Sequence, residues 1–240
     1  KRIYKSSSQT WITSESFKPF LVNMGCVDET IRYIPNYFSP SNSYNPQIAK
    51  ENLIPISKYR ILFAGNVGKA QGLDTLVSIA EEAKSNDITN FAFCIIGDGS
   101  FKANLIDMIK KAGVEEYFWF HDPVPMTKIS EFYVQADAFF YSLIKNDSIQ
   151  RTLPGKVSEY MQYGKPIITD CGGESKIVLD KYGGGIFFEN VSEALEKIQR
   201  LISGSHTMPI NMEYVKNTFS KESVMEKIED AIEEVMSSSK

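Results

Sequence analysis

Along the chain, apolar runs typical of strands alternate with stretches in which apolar residues have helical spacing. Short runs rich in β-branched and aromatic residues, such as 61–64 and 91–96, are apolar at every position. This is typical of strands buried on both faces of a sheet. A glycine or proline signal follows each run, and then a stretch with helical spacing. Strands are predicted at 31–34, 60–64, 91–96, 117–120, 138–142, 166–169 and 185–188.

Helices are predicted between these strands and after the last one, at 73–84, 101–112, 128–136, 156–163, 174–181, 192–202, 212–218 and 221–236. The strands recur at the spacing of βα units, which predicts a mostly parallel sheet with helices on both faces. The predicted fold class is therefore α/β, with a doubly wound sheet.

A domain boundary is predicted at residues 39–52, where serine, asparagine and proline crowd and large apolar residues are few. Upstream, a strand at 11–13 precedes Ser14 as an N-cap and a helix at 15–24 that Gly25 closes. Residues 1–38 are too few for a core of their own, so they must dock on residues 39–240 or on something missing. The sequence starts with a lysine inside what looks like structure, so we expect a piece of a longer protein.

Composition and charge argue against several classes of protein. The 240 residues include 26 basic and 30 acidic side chains, a net charge of −4, which argues against nucleic acid as the main partner. Three widely spaced cysteines predict neither disulfides nor a zinc site and favour a cytoplasmic location. No apolar run is long enough to span a membrane. Two histidines and no HExxH or Asp-x-Asp motif disfavour a protein-held metal, and no cofactor is expected.

The glycine-rich stretch 65–72 (GNVGKAQG) follows a buried strand and opens a helix. Glycines allow backbone N–H groups to approach a phosphate, and a helix start adds partial positive charge. The stretch does not match GxGxxG, and the chain has no GxxxxGK[ST], so nicotinamide cofactors and Walker-type ATP hydrolysis lose support. A plain glycine-rich turn that exposes Lys69 is the alternative.

Three further loops follow predicted strands, where ligands bind in parallel α/β sheets. Gly97 would let a ligand lie close to a strand end, or it belongs to a simple turn. Residues 121–125 (HDPVP) form a stiff loop that could present backbone groups to a flat base, although His121 could equally cap an element. Consecutive glycines in 170–174 (DCGGE) could form a backbone nest for an anion.

Residues 153–166 (LPGKVSEYMQYGKP) are the most informative stretch. Lys156 and Glu159 share one face of the helix that Pro154 and Gly155 open. A cation at a helix start interacts unfavourably with the helix dipole, at a cost of about 0.3–1 kcal/mol. The position of Lys156 is therefore better explained if an anion binds beside it. The Glu159 carboxylate could accept two hydroxyls of a sugar ring. A solvated ion pair is the alternative for both residues.

In this order, GNVGKAQGLD, IIGDG, HDPVP, TLPGKVSEYMQYGKPII, CGGE and GGG resemble the carboxyl-terminal half of the group-one (family four) glycosyltransferases. These enzymes have the GT-B architecture, in which two Rossmann-like domains face each other across a cleft. Residues 33–40 (YIPNYFSP) look like the crossover between the domains. The pattern Pro154, Lys156, Glu159, Tyr160 is similar to that of bacterial sugar transferases of capsule and lipopolysaccharide assembly.

The resemblance implies that residues 39–240 bind a nucleotide diphosphate sugar, with UDP favoured over GDP. Family members retain anomeric configuration and need no metal. Lys156 would reach the phosphates, Glu159 the ribose hydroxyls, and the backbone near Val124 the base. The residues expected at this site are Lys156 and Lys69 as catalytic cations, and Gly65, Asn66, Gly68, Gly97, Val124, Arg151, Pro154 and Glu159 as substrate-binding residues.

The sequence also departs from the family. Many members have Glu-x7-Glu, and the first of these positions is Arg151 here. Positions that often hold Arg and Lys in the first loop are Asn66 and Gln71. We therefore expect the phosphates to be bound jointly by Lys69, Arg151 and Lys156.

Residues 1–38 would be the end of an amino-terminal acceptor domain, and the helix predicted at 221–236 would pack back toward it. The chain alone is then expected to bind donor weakly and to transfer nothing. The acceptor would be a glycan or a lipid-linked molecule, the latter at the cytoplasmic face of the inner membrane. The alternatives are a non-catalytic nucleotide-sugar-binding module, a nucleotide-sugar epimerase, and an unrelated doubly wound protein.

Overall fold

The computed structural model of the chain describes residues 3, 6–38, 53–54, 58–144, 146–206 and 208–238. The predicted boundary segment 39–52 lies outside these residues. The strands are β1 (Thr10–Ile12), β2 (Ile31–Tyr33), β3 (Tyr59–Ala64), β4 (Phe91–Ile96), β5 (Phe118–His121), β6 (Ala138–Tyr141), β7 (Ile167–Thr169) and β8 (Gly185–Phe187).

The main sheet has six strands in the order β5-β4-β3-β6-β7-β8. Every pairing in it is parallel. The chain winds outward from β3 in one direction and from β6 in the other, so the order reverses between these two neighbours. The crevice beyond their carboxyl ends is where doubly wound sheets bind ligands. The predicted α/β, Rossmann-like fold is confirmed.

Helices cover both faces of the sheet, and the bounds of the eight helices predicted from residue 73 onward agree with the structure to within two residues. They are α1 (Lys18–Asn23), α2 (Asp74–Ser85), α3 (Lys102–Ala112), α4 (Met126–Gln135), α5 (Asp147–Gln150), α6 (Gly155–Met161), α7 (Gly173–Tyr182), α8 (Val191–Ile202), α9 (Met212–Phe219) and α10 (Lys221–Ser238). The short helix α5 was not predicted, because a single turn has no apolar period to detect.

The core lies on both faces of the main sheet. In β3, Ile61 and Phe63 pack into one buried cluster, and Leu62 and Ala64 pack into the other. Successive side chains of a strand point to opposite faces. A strand covered on both faces must therefore be apolar throughout, which accounts for the uninterrupted run.

The amino-terminal unit holds a second, two-stranded parallel sheet of β1 and β2. The helix predicted at 15–24 is divided into a 3₁₀ turn (Glu15–Phe17) and α1. Ser14 stands at the predicted N-cap position, before the 3₁₀ turn, but its hydroxyl makes no cap bond and instead accepts a hydrogen bond from Leu153 N–H at 2.8 Å. Gly25 does follow the helix end, with φ of 94°.

This unit contacts the last helix of the chain. Ile34 packs with Val224 and Ala231 of α10. Arg32 also forms an ion pair with Glu234, with 2.6 Å between Nη2 and Oε2. The unit therefore packs against the larger part of this chain, as one of the two predicted outcomes requires.

Candidate functional site

Backbone hydrogen bonds join the loops that follow β3, β4 and β5. Gly65 N–H donates to Ile96 O at 2.8 Å, and Val67 N–H donates to Asp98 O at 2.8 Å. Gly97 N–H donates to His121 O at 3.0 Å. The three loops thus form one surface at the carboxyl edge of the sheet.

Two glycines make this close approach possible. Gly97 has φ of 141°, and a Cβ there would lie 1.9 Å from Gly65 O. Gly65 has φ of 142°, and a Cβ there would lie 2.5 Å from Cε and 2.6 Å from Nζ of Lys156. Only glycine leaves room for the lysine to lie over this loop.

The predicted role of the glycine-rich loop needs a correction. The N–H groups of Gly65 and Val67 already donate to the β4 loop, and Gly68 N–H donates to Gln71 Oε1 at 3.1 Å. These groups are not available to a phosphate. The glycines serve close packing, and the Lys156 side chain supplies the positive charge at the loop.

A cavity of about 300 Å³ opens beside this loop. Its wall is largely apolar on the side of α4 and the β5 loop. It contains six of the predicted site residues. The cavity is lined by Ala64, Gly65, Asn66, Ile96, Gly97, Asp98, Pro123, Val124, Met126, Ile129, Tyr133, Lys156 and Glu159.

A second cavity of about 300 Å³ lies on the β6 side of the switch point. It is lined by Phe63, Asn66, Gln71, Tyr141, Ser142, Leu143, Pro154, Gly155, Lys156 and Glu159. Asn66, Lys156 and Glu159 line both cavities, so the two spaces meet at these side chains.

Helix α6 holds Lys156 and Glu159 at this junction. The helix is anchored by Tyr160, whose ring is fully buried and stacks on Phe139 with centroids 4.3 Å apart. The Tyr160 hydroxyl oxygen accepts a hydrogen bond from Ala64 N–H at 3.0 Å. A side chain of α6 is thereby tied to the last residue of β3.

Lys156 is a half-buried cation. Burial lowers the pKa of its ammonium below the ordinary value, and the charge of Glu159 opposes part of that shift. Within the described part of the chain its Nζ has no hydrogen bond or ion pair, and it lies 5.9 Å from the centre of the Tyr160 ring. A partly desolvated ammonium without a counter-ion favours binding of an anion.

Glu159 faces a buried hydroxyl. Tyr133 OH donates to Glu159 Oε2 at 3.5 Å, a long and weak hydrogen bond. Burial is the main cause that raises the pKa of Tyr133 well above its ordinary value. The Glu159 carboxylate therefore keeps most of its capacity to accept bonds from a ligand.

Three predicted residues line neither cavity. Lys69 is exposed on a 3₁₀ turn (Lys69–Gln71). Gly68 is buried behind Gln71. The Arg151 guanidinium lies over the ring of Phe20, 5.3 Å from its centre. The structure thus brings together Gly65, Asn66, Gly97, Val124, Pro154, Lys156 and Glu159.

Five polar residues that line the cavities were not among the predicted site residues, namely Gln71, Asp98, Tyr133, Tyr141 and Ser142. Ser142 is only 2% exposed, and its hydroxyl forms no hydrogen bond with any described residue. No motif marks it. Its position just after β6, at the switch point, is the signal that could have indicated it.

No group of three or more His, Cys, Asp and Glu side chains among the described residues could hold a metal ion. No helix in that part of the chain has the length and apolar character needed to cross a membrane.

Residues 45–218 match the family model of the glycosyl transferases group 1. The match covers most of the chain, and the chain belongs to this family. It is 22% identical over 229 residues to the protein of Escherichia coli (strain K12) named "Putative colanic acid biosynthesis glycosyl transferase WcaI". That alignment covers 88% of this chain and 54% of the relative.

Solved structures support the same fold. A glycosyltransferase from Rickettsia africae superposes with a TM-score of 0.77 at 16% identity, over 98% of this chain and 66% of that one. Anabaena Alr3699/HepE in complex with UDP superposes with a TM-score of 0.78 at 14% identity, over 96% of this chain and 65% of that one. The chain thus spans about half to two thirds of the length of these relatives.

Proposed function

We propose that the two joined cavities form the donor site of a retaining hexosyltransferase that uses a nucleoside diphosphate sugar, UDP in preference to GDP. The observation that carries this proposal is the position of Lys156. Its ammonium has no counter-ion among the described residues, lies over Gly65, and stands where two cavities meet. A diphosphate at this point would satisfy the ammonium and leave a cavity on each side for the two ends of the donor.

In this proposal the nucleoside occupies the cavity beside Val124, where the apolar wall suits a flat base. Glu159 lies at the junction and accepts the ribose hydroxyls. The sugar occupies the second cavity, where Gln71 and Ser142 offer polar groups.

Lys156 would act on the leaving group. As the bond between the anomeric carbon and the diphosphate oxygen breaks, negative charge grows on the diphosphate. A positioned cation of this kind contributes about 2.7–4 kcal/mol to transition-state stabilisation. Lys69 and Arg151 line neither cavity, so their predicted part in this step requires a movement of their side chains.

The comparisons support the substrate class. Anabaena HepE has been crystallised with UDP and with UDP-glucose. The name of the Escherichia coli relative points to colanic acid biosynthesis. For this chain we propose a glycan or a lipid-linked acceptor, the latter at the cytoplasmic face of the membrane.

The proposed domains are 1–38, the end of an acceptor domain, and 39–240, the donor domain. Because this chain spans only 54% of that relative, we propose that it binds donor but does not complete transfer by itself.

A second candidate is a non-catalytic module that binds nucleotide sugars. The observation in its favour is that Arg151, at the position of the first glutamate of the family pattern, lies over Phe20 and away from both cavities. Sugar transfer by a longer chain that contains these residues would exclude it. An epimerase is less well supported, since no histidine is among the described residues that line the two cavities.

Calorimetric titration of the 240-residue chain with UDP, GDP and ADP, with and without magnesium, tests the donor site. We expect metal-independent binding of UDP with Kd near 100 μM, about −5.5 kcal/mol. Lys156→Ala should raise this Kd by about tenfold or more. Lys111→Ala is the matched control, because Lys111 is exposed and forms its ion pair with Asp107, four residues before it on α3. Equal affinity of the wild type and Lys156→Ala would contradict the proposal.

A further inference from the structure

A buried carboxylate joins the amino-terminal unit to the main sheet domain. Glu174, the first acidic residue of α7, is 1% exposed. Its Oε1 accepts a hydrogen bond from Glu15 N–H at 2.8 Å. Its Oε2 accepts from Ser16 N–H at 2.9 Å and from the Ser16 hydroxyl at 2.5 Å. Three donors on one buried carboxylate form a strong, directional contact.

A second contact lies next to the first. Ser14 is also 1% exposed, and its hydroxyl oxygen accepts the hydrogen bond from Leu153 N–H at 2.8 Å. Leu153 directly precedes Pro154, and α6 begins at the next residue. The Ser14 hydroxyl therefore fixes the main chain three residues before Lys156.

Two weaker contacts join the same parts of the molecule. The Arg151 guanidinium lies over the Phe20 ring at 5.3 Å. Lys181 Nζ lies 3.5 Å from Glu15 Oε2. All four contacts connect residues 14–20 with stretches on either side of α6, namely 151–153 and 174–181.

We infer that Ser14 and Glu174 are positioning residues, which lock residues 14–16 against the loop before α6 and so hold Lys156 over Gly65. We call the set Ser14, Ser16, Leu153 and Glu174 the latch. The functional part of this inference rests on the proposed donor site. The mechanical part, that the latch sets the surroundings of Lys156, does not.

The latch acts on the start of α6, which is less buried than the middle of the helix. Val157 and Tyr160 are fully buried, but Gly155 is exposed and Pro154 is half-buried. Without the Ser14 acceptor, the N–H of Leu153 loses its partner and the loop can move toward water. Lys156 would then move with it and become more solvated.

Two variants test the latch. Ser14→Ala removes the acceptor of Leu153 N–H. Glu174→Gln replaces one carboxylate oxygen with an NH₂ group, which then faces backbone N–H donors. The matched controls are Ser85→Ala and Glu196→Gln, on exposed surfaces of α2 and α8. Circular dichroism and thermal melting establish that each variant is folded. If Glu174→Gln fails to fold, Ser14→Ala alone decides.

The first readout needs no nucleotide. Competitive labelling of lysine amines across pH, followed by mass spectrometry, gives the apparent pKa of Lys156. Burial lowers this pKa in the intact protein, and Glu159 is the charged group that faces the amine. Both latch variants should raise it toward the ordinary lysine value, and both controls should leave it unchanged. An unchanged profile in folded latch variants would overturn the inference.

The second readout is UDP affinity. Ser14→Ala should weaken UDP binding about tenfold, since an unpaired buried N–H disturbs the loop by energies of this order. In a Lys156→Ala background the same change should have no further effect, because the latch acts through Lys156. Equal effects in both backgrounds would show a merely structural role. If the wild type binds no UDP, the proposed donor site fails, while the labelling profile still decides the latch.

Discussion

The Lys156 ammonium lies directly over the backbone of Gly65, so close that a Cβ on residue 65 would be 2.6 Å from its Nζ. This pair links β3, the first strand of the main sheet, with α6. It also defines the junction of the two cavities. A substitution of either residue should therefore change the affinity for the ligand.

Gly65→Ala is expected to displace Lys156 and weaken UDP binding at least tenfold. The new methyl group would overlap the lysine side chain, and φ of 142° is unfavourable for alanine. We expect a loss of about 1–3 kcal/mol in the free energy of unfolding, measured by urea denaturation. Gly172→Ala is the control, since a Cβ there meets nothing within 4 Å. Full UDP affinity in a folded Gly65→Ala protein would contradict the account.

UDP binding should take up a proton at alkaline pH. Burial lowers the pKa of Lys156 in the free protein, and a diphosphate beside it would raise that pKa again. Between the two values the amine must gain a proton on binding, so the affinity should fall as pH rises through the lowered pKa. Calorimetry in buffers of different ionisation enthalpy, from about pH 7 to pH 9.5, measures this uptake. Affinity that rises with pH would refute the assignment, and Lys156→Ala should show no such uptake.

Glu159→Gln should distinguish a ribose contact from a solvated ion pair. If the carboxylate accepts two ribose hydroxyls, the variant loses about 1.5–3 kcal/mol of UDP binding, as expected for hydrogen bonds to a charged group. Binding of 2′,3′-dideoxy-UDP and of inorganic pyrophosphate should change little. Lys156→Ala, in contrast, should weaken all three ligands. A Glu159→Gln protein that binds both UDP and pyrophosphate as tightly as wild type, or more tightly, would contradict the ribose contact, because neutralising a carboxylate only lessens its repulsion of an anion.

Lys165 should be a determinant of stability and of the first cavity's shape. Its Nζ donates to the carbonyl oxygens of Tyr133, Val134 and Ala136 at 2.9, 2.6 and 2.5 Å, at the end of α4. Lys165→Met would leave these carbonyls unpaired and lower the free energy of unfolding by about 1–3 kcal/mol. Urea denaturation measures the loss. A stability equal to wild type would show that water replaces the ammonium without cost.

The main sheet could be predicted from the sequence because the patterns that indicate its strands lie within short stretches of the chain. Strands such as β3 and β4 are apolar at every position, and a glycine signal follows each of them. The loops that meet at the carboxyl edge follow from parallel topology alone. The set Gly65, Asn66, Gly97, Val124, Pro154, Lys156 and Glu159 could thus be named in advance and is found lining the cavities.

The features that could not be predicted depend on contacts between parts of the chain that are distant in sequence. Serine is favoured at N-caps, but the Ser14 hydroxyl accepts a hydrogen bond from a backbone N–H that is 139 residues away in the sequence. Arg151 has the charge for a phosphate, but the Phe20 ring lies beside it. Local pattern carries no information about such partners. It also could not show that the loop N–H groups of Gly65 and Val67 are already occupied.

A crystal structure of the chain with UDP would show whether the diphosphate lies on Lys156. We expect a phosphate oxygen about 2.7–3.2 Å from Lys156 Nζ, the uracil in the cavity beside Val124, and the ribose hydroxyls within hydrogen-bond distance of Glu159. UDP bound elsewhere, or bound here with its phosphates away from Lys156, would contradict it.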